Sequence, residues 1–199
     1  MSWGGLFDRA DGATGATVEA VRESLARRRE RNDGGPAAGD ATEPVDPTPG
    51  RVVADADVLA ADLLVGGDAR DALDGVRAHS WVVLVASDPL LADAQAVVAE
   101  LADADLAAGW RARAADAREP VAHPPGDHPA LASAYRGGAM HLLTFDERLR
   151  SADAGAAIRG HVETSIKHPR GFAALFDPAS LYDAVVGGSY PGPDRDPRE

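Results

Sequence analysis

The segment "RVVADADVLAADLL", residues 51–64, places a short apolar run directly before a helical pattern. The run ending at Asp55 is typical of a buried strand, and the residues after it have the spacing of a helix. A second apolar run, "WVVLVAS" at 81–87, is also followed by helical patterns, and a third, "AMHLLTF" at 139–145, follows a helix predicted over 127–136. Strands separated by helices pair in parallel through right-handed crossovers, so the sequence predicts an α/β fold.

Composition divides the chain into four parts. Residues 1–32 form an N-terminal extension, and 33–50 are rich in Gly, Pro and Asp, which predicts a disordered linker. The folded domain is predicted over 51–187, where "REPVAH" and "VETSI" add two short strands to the three above. Residues 188–199 contain Pro and Gly without an apolar pattern and are predicted to be a flexible tail.

The N-terminal extension contains one predicted helix, "TVEAVRESLARRRERN" at 17–32, with Thr17 as its cap. Val18, Val21 and Leu25 form a narrow apolar stripe on this helix. Four arginines make its end basic: Arg27, Arg28, Arg29 and Arg31. Two interpretations remain open, an arm that docks a protein partner or contacts nucleic acid, and a solvated helix whose arginines offset the helix dipole.

The composition excludes several classes of site and leaves others open. The 199 residues include no cysteine, which excludes disulfides, thiolate zinc sites and a cysteine nucleophile. Asp and Glu number 32 against 20 Lys and Arg, a balance typical of halophilic proteins adapted to molar salt, and Lys167 is the only lysine. At 1 M salt the Debye length is about 3 Å, so the acidity does not exclude RNA as a partner.

No apolar run reaches the length of a membrane span, and the first residues lack the features of a secretory signal. We therefore expect a cytoplasmic protein that does not enter membranes.

Acidic residues recur where the predicted strands end and the next helices begin. Asp55 ends the first strand, Asp93 lies in the helix after the second, Asp127 begins the helix before the third, and Asp146 follows the third. Each alone could be a helix cap or a solvated acid. In α/β folds, however, functional groups collect beyond the carboxyl ends of strands, so these four acids indicate a site.

Three of these segments resemble the PIN domain family, metal-dependent ribonucleases that include VapC-type toxins of toxin–antitoxin pairs and RNA-processing enzymes. They are "VVADADVLAADLL" at 52–64, "LVASDPLLAD" at 84–93 and "DHPALASAYRGGAMHLLTFDERL" at 127–149, the last being the most specific. The resemblance spans roughly residues 51–176. It implies a three-layer α/β/α fold around a parallel sheet of about five strands, and an endoribonuclease that hydrolyses RNA phosphodiester bonds.

The resemblance also implies roles for individual residues. Asp55, Asp127 and Asp146 would bind Mg²⁺ or Mn²⁺, Asp93 would support the metal or a water molecule, and Thr144 would orient a carboxylate or water. Carboxylates are the ligands that such hard cations prefer. The family also suggests a homodimer, and an antitoxin or other protein partner could bind through the N-terminal helix.

Several assignments remain open. Glu100, seven residues after Asp93, could be the second acid instead, and Asp57 could be a helix cap or a polar residue supporting the site. Arg148 and Arg150 could bind substrate phosphates or act as counter-ions on an acidic surface. The family more often has Glu at the position of Asp93, which leaves room for a catalytically degenerate PIN-like module that binds RNA or protein.

The histidines show no paired metal-ligand spacing, and we expect surface or structurally satisfied roles for them. They are His79, His123, His128, His141, His161 and His168.

Overall fold

The computed structural model describes most of the chain. The described residues are 1–12, 15–32, 44–124, 126–151 and 164–199. Most of the predicted linker, at 33–43, lies outside them, as do His161 and the part of the predicted helix from Asp146 that extends beyond residue 151. The described residues from Asp146 to Ser151 form turns, not helix.

Five strands form one sheet in which all neighbouring strands are parallel. They are β1 (Thr48–Ala54), β2 (Val83–Ser87), β3 (Arg118–Val121), β4 (Ala139–Leu143) and β5 (Ser165–Lys167). Their order across the sheet is β3-β2-β1-β4-β5. Helices flank this sheet on both faces, so the predicted three-layer α/β fold with a parallel sheet of five strands is confirmed.

The helices of the described residues lie before the first strand, between strands or after the last strand. They are α1 (Trp3–Asp11), α2 (Val18–Asn32), α3 (Ala56–Leu64), α4 (Gly67–Arg77), α5 (Asp88–Leu101), α6 (Ala104–Ala117), α7 (Pro129–Arg136), α8 (Pro169–Leu175) and α9 (Pro178–Val185). None of the helices in the described ranges is both long and apolar enough to cross a membrane.

The centre of the sheet lies where the strand order reverses. The chain proceeds from β1 outward to β2 and β3, and then returns to place β4 on the other side of β1. Helices that leave two such neighbouring strands diverge, which opens a crevice at the carboxyl ends of the strands. The backbone N–H of Asp55 donates to the carbonyl of Leu143 at 2.8 Å, so the residues following β1 and β4 meet at this crevice.

Two glycines permit the tight turn from α7 into β4. A Cβ on Gly137 would lie 2.3 Å from a methyl group of Val85, and one on Gly138 would lie 2.5 Å from the carbonyl oxygen of Asp46. Gly138 also has a positive φ of 59°, which L side chains rarely adopt. The "GG" pair therefore lets β4 enter the sheet beside β1.

The N-terminal extension and the domain boundaries differ from the sequence prediction. Helix α1 was not predicted, yet Trp3, Leu6 and Phe7 are buried in the core. In α2, Val21 and Leu25 are buried too, so both helices belong to the folded body. Residues 48–50, assigned to the linker from composition, begin β1.

The C-terminal segment is also packed, although its composition predicts a flexible tail. Tyr190 Oη lies 2.6 Å from His79 Nε2, and Asp194 accepts a hydrogen bond from the backbone N–H of Ser80 at 2.7 Å. The carbonyl of Arg198 accepts from the N–H of Gly4 at 2.7 Å, which joins the two ends of the chain. Specific polar contacts and the ring contacts of Tyr190 with Trp81 and Tyr182, rather than an apolar period, hold this segment in place.

Candidate active site

Asp55 stands at the junction between β1 and α3. Its carboxylate is fully buried, and Oδ1 accepts a hydrogen bond from the N–H of Ala56 at 2.7 Å, which makes Asp55 the N-cap of α3. Capping accounts for one oxygen. The other, Oδ2, lies 3.2 Å from the hydroxyl of Thr144, beyond the end of β4. Asp55 therefore caps a helix and also faces the crevice.

Thr144 connects the acids that follow the two strands. Its hydroxyl lies 3.2 Å from Asp55 Oδ2 and 3.3 Å from Asp57 Oδ2, and it accepts a hydrogen bond from the N–H of Asp146 at 3.0 Å. A hydroxyl carries a single proton, so it can donate to only one of the two carboxyl groups at a time. Thr144 thus orients Asp55 and Asp57 and fixes the backbone at Asp146.

Asp57 is a buried acid in the first turn of α3. Its Oδ2 accepts from the N–H of Phe145 at 3.0 Å, while Oδ1 is buried without a hydrogen-bond partner among the described residues. Burial, followed by the nearby negative charge of Asp55, raises the pKa of Asp57 to about 8. The raised pKa favours the neutral, protonated form of Asp57, which lowers the cost of two adjacent buried carboxyl groups.

Asp93 joins this group from α5 by way of two arginines of α2. Its Oδ1 accepts from Arg28 Nε at 2.7 Å, and its Oδ2 lies 3.7 Å from Arg29 Nε. The same Arg29 donates from Nη2 to Asp55 Oδ1 at 2.7 Å. The guanidinium of Arg29 therefore lies between the carboxylates of Asp55 and Asp93.

Glu100 lies farther along α5 and has different partners. It accepts hydrogen bonds from the hydroxyl of Ser24 at 2.8 Å and from Arg27 at 2.7 Å. These contacts hold the pKa of Glu100 below its usual value. Of the two alternatives for the second acid, Asp93 is the one that lies beside Asp55.

Asp146 is held in place by Arg148. Its Oδ1 accepts from the backbone N–H of Arg148 at 2.9 Å, and its Oδ2 lies 3.3 Å from the guanidinium. Burial acts to raise the pKa of Asp146, but the hydrogen bonds from Arg148 outweigh it and the pKa lies below the usual value. Arg148 is otherwise exposed, so it neutralises Asp146 and can still reach solvent.

Arg150, the second predicted phosphate-binding residue, is turned toward its own loop. Its Nη2 lies 3.4 Å from the carbonyl oxygen of Phe145 and 4.0 Å from Glu147. These contacts support the loop that follows β4.

The structure does not bring Asp127 into the group. Asp127 is exposed, and α7 begins at Pro129 with His128 as its N-cap residue. His128 Nε2 lies 4.0 Å from Asp55 Oδ2, so a histidine takes the place predicted for the third acid. Burial lowers the pKa of His128, in spite of the nearby Asp55, which favours the neutral imidazole.

The proline that follows His128 could have predicted this shift. Proline is favoured at the first helical position, which makes the residue before it the cap. By that rule His128 is the cap residue and Asp127 lies outside the helix. The contacts of Arg28 and Arg29 had no comparable signal, because they depend on how α2 packs against α3 and α5.

A cavity of about 300 Å³ lies between α2 and the loop after β4. Side chains of both signs line it, among them Arg22, Arg29, Asp57, Asp146 and Arg148. Carboxylates are the hard oxygen donors that Mg²⁺ and Mn²⁺ prefer, and Oδ1 of Asp57 has no hydrogen-bond partner among the described residues. The chemical type of these oxygen atoms therefore suits a divalent cation.

The positions of the acids, in contrast, are set by arginine. The carboxylates of Asp55 and Asp93 are arranged around the guanidinium of Arg29. Within the described ranges, no three His, Asp or Glu side chains are placed so that they could hold one metal ion. Rearrangement of α2 would be needed before Asp55 and Asp93 could share a cation.

Comparison with known proteins gives one match. A model described as "Family of unknown function (DUF7384)" matches residues 46–198, which include the whole sheet and begin after α1 and α2. No curated protein and no solved structure matches the chain. Because the match covers more than half of the sequence, this protein belongs to the DUF7384 family, whose function is unknown.

Proposed function

We propose that this protein is a PIN-type endoribonuclease that hydrolyses RNA phosphodiester bonds with Mg²⁺ or Mn²⁺. The observation that carries the proposal is the meeting of Asp55, Asp93 and Asp146 around the crevice where the strand order reverses. Asp55 and Asp93 are buried, and Asp146 is half-buried. Such carboxylates are costly unless they are paired or serve a site, and these come from three separate segments. The resemblance of those segments to PIN domains supports the same assignment.

Asp55 and Asp146 would hold the cation, because both follow strands and both are tied to the hydroxyl of Thr144. Asp93 would complete the set from α5. When bound, a divalent cation neutralises charge on the phosphodiester and polarises a water molecule for attack. Thr144 keeps Asp55 oriented, and the exposed guanidinium of Arg148 lies at the rim, where an RNA phosphate would approach.

A second candidate function is supported by the ion pairs of α2. Arg28 and Arg29 neutralise Asp93 and Asp55 with short contacts of 2.7 Å each. If these contacts are permanent, the acids are structural and the domain is a catalytically silent module that binds RNA or protein. Metal dependence separates this candidate from the nuclease.

The test is incubation of the full-length protein with a mixed RNA pool in concentrated KCl and Mn²⁺, Mg²⁺ or EDTA. We expect cleavage at defined positions with either metal and none with EDTA. Asp55→Asn should reduce cleavage to background, whereas Asp127→Asn, the same exchange at an exposed acid outside the site, should cleave like the wild type.

Equal cleavage by the wild type and Asp55→Asn would contradict the proposal. The proposal would also be contradicted if RNA were cleaved neither by the wild type nor by a variant in which Asp93 and Asp55 are freed from Arg28 and Arg29.

A further inference from the structure

The last two turns of α2 lie over the acidic group. Arg27, Arg28 and Arg29 each contact a carboxylate of the sheet domain, at 2.7 Å in every case. Arg29 is the most enclosed by acids, since Asp55, Asp93 and Asp57 all act to raise its pKa against the opposing effect of burial. A guanidinium thus occupies the place between two carboxylates where a cation would bind.

We propose that α2 is an intramolecular lock that competes with a divalent cation for Asp55 and Asp93. This inference rests on the metal site of the proposed function. The guanidinium of Arg29 fills the space between Asp55 and Asp93 that a cation shared by these two carboxylates would occupy, so the two exclude one another. Cation binding and release of the arginines are then coupled, and the apparent affinity for metal falls in proportion to the fraction of molecules that are open.

The two halves of α2 are held by different interactions. In the first half, Val21 and Leu25 are buried and Ser24 donates to Glu100, which anchors the helix. In the second half, the contacts with the domain are made by the charged side chains of Arg27, Arg28 and Arg29. The end of α2 can therefore leave the acids while its start remains docked.

The family match agrees with this division. It begins at residue 46, after α2, so the acids belong to the matched region and the arginines do not. The lock is thus a separate element placed on the site of the family domain.

The first test compares two double variants by calorimetric titration with Mn²⁺ at fixed salt. R28A/R29A frees Asp93 and Asp55, whereas R31A/R195A removes the same charge at two exposed arginines and leaves all three contacts of the lock intact. We expect R28A/R29A to bind Mn²⁺ about tenfold more tightly than the wild type, or more, which corresponds to an open fraction of a tenth or less in the wild type. R31A/R195A should stay within about twofold of the wild type, since the change of net charge is the only effect that it shares with R28A/R29A.

The second test needs no substitution that could impair folding. Trypsin cleaves after arginine, and the lock predicts faster cleavage in residues 27–31 of the wild type as Mn²⁺ is added. Ligands ordinarily protect a fold from proteolysis, so the predicted sign is opposite to general stabilisation. The same digestion of Asp55→Asn, which removes a ligand of the proposed site, controls for effects of Mn²⁺ on trypsin.

The outcomes separate the lock from the nuclease. Tighter Mn²⁺ binding by R28A/R29A and faster cleavage of α2 support the lock, even if no RNA is cut. Equal Mn²⁺ affinity of the wild type and R28A/R29A, or protection of α2 by Mn²⁺, overturns the lock. An active wild type with equal affinities would retain the nuclease and reject the lock.

Discussion

Replacement of Phe7 by alanine tests whether α1 belongs to the folded domain. The Phe7 ring is 1% exposed and stacks on Trp3 with ring centroids 6.1 Å apart. The guanidinium carbon of Arg70 lies 3.8 Å from the centroid of the Phe7 ring. Arg70 itself donates to the carbonyl of Asp62 in α3, so the ring covers a polar contact of the core. Loss of Phe7 would leave both a cavity and an unshielded guanidinium.

The expected cost follows from these contacts. A buried Phe→Ala exchange costs about 3–5 kcal/mol through lost burial and the cavity left behind. A cation–π contact adds about 0.5–1 kcal/mol even at an exposed site, and more when it is desolvated. We therefore expect Phe7→Ala to lower the free energy of unfolding by about 4 kcal/mol, a large part of the stability of an ordinary domain.

The measurement is equilibrium urea denaturation followed by circular dichroism at constant salt. Leu175→Ala serves as the control, since Leu175 is 75% exposed and its loss should change stability by less than about 0.5 kcal/mol. A change below about 1 kcal/mol in Phe7→Ala, with an unchanged denaturant slope, would refute the packing argument. It would restore the sequence prediction that residues 1–32 are an extension outside the folded domain.

Two further predictions concern His141 and Gly138. Burial, and to a lesser extent the charge of Lys167, lowers the pKa of His141 from 6.5 to about 4. The neutral form of His141 therefore contributes fully to the free energy of unfolding above pH 6.5, and this contribution is lost as the pH falls toward 4. When the pH falls from 7.5 to 5, the free energy of unfolding, measured by urea titration, should therefore decrease by about 1–2 kcal/mol less in His141→Gln than in the wild type, a figure already reduced for partial exposure. Equal decreases in the two proteins would contradict this assignment. Gly138→Ala should cost more than about 2 kcal/mol, because it combines a positive φ with a Cβ 2.5 Å from the carbonyl oxygen of Asp46. The control is Gly171→Ala, which lies in a helix where no atom is near the new methyl group, and it should be neutral or stabilising by up to about 1 kcal/mol. Equal melting temperatures of Gly138→Ala and Gly171→Ala would disprove the turn argument.

The sequence by itself determined the fold class and the strand-end part of the site. Strands followed by helices predicted the parallel sheet, because apolar periodicity reports locally which face of each element is buried. Asp55, Thr144 and Asp146 could be placed beside one another for the same reason. The ends of parallel strands meet at one edge, so a position next to a strand fixes a position in space.

The structure decided the position of the third predicted acid. The start of α7 lies two residues later than predicted, at Pro129, which leaves Asp127 in solvent and places His128 near Asp55. Helix starts depend on a balance of caps and tertiary contacts, so a pattern locates them only to within a residue or two.

Only the tertiary structure revealed the arginine pairs. Arg28 and Asp93 are 65 residues apart, and Arg29 and Asp55 are 26 apart. In an acidic chain every arginine has many possible partners, and sequence separation favours none of them. The choice is made when Val21 and Leu25 of α2 are buried, because the packing of the apolar stripe fixes which carboxylates the arginines can reach.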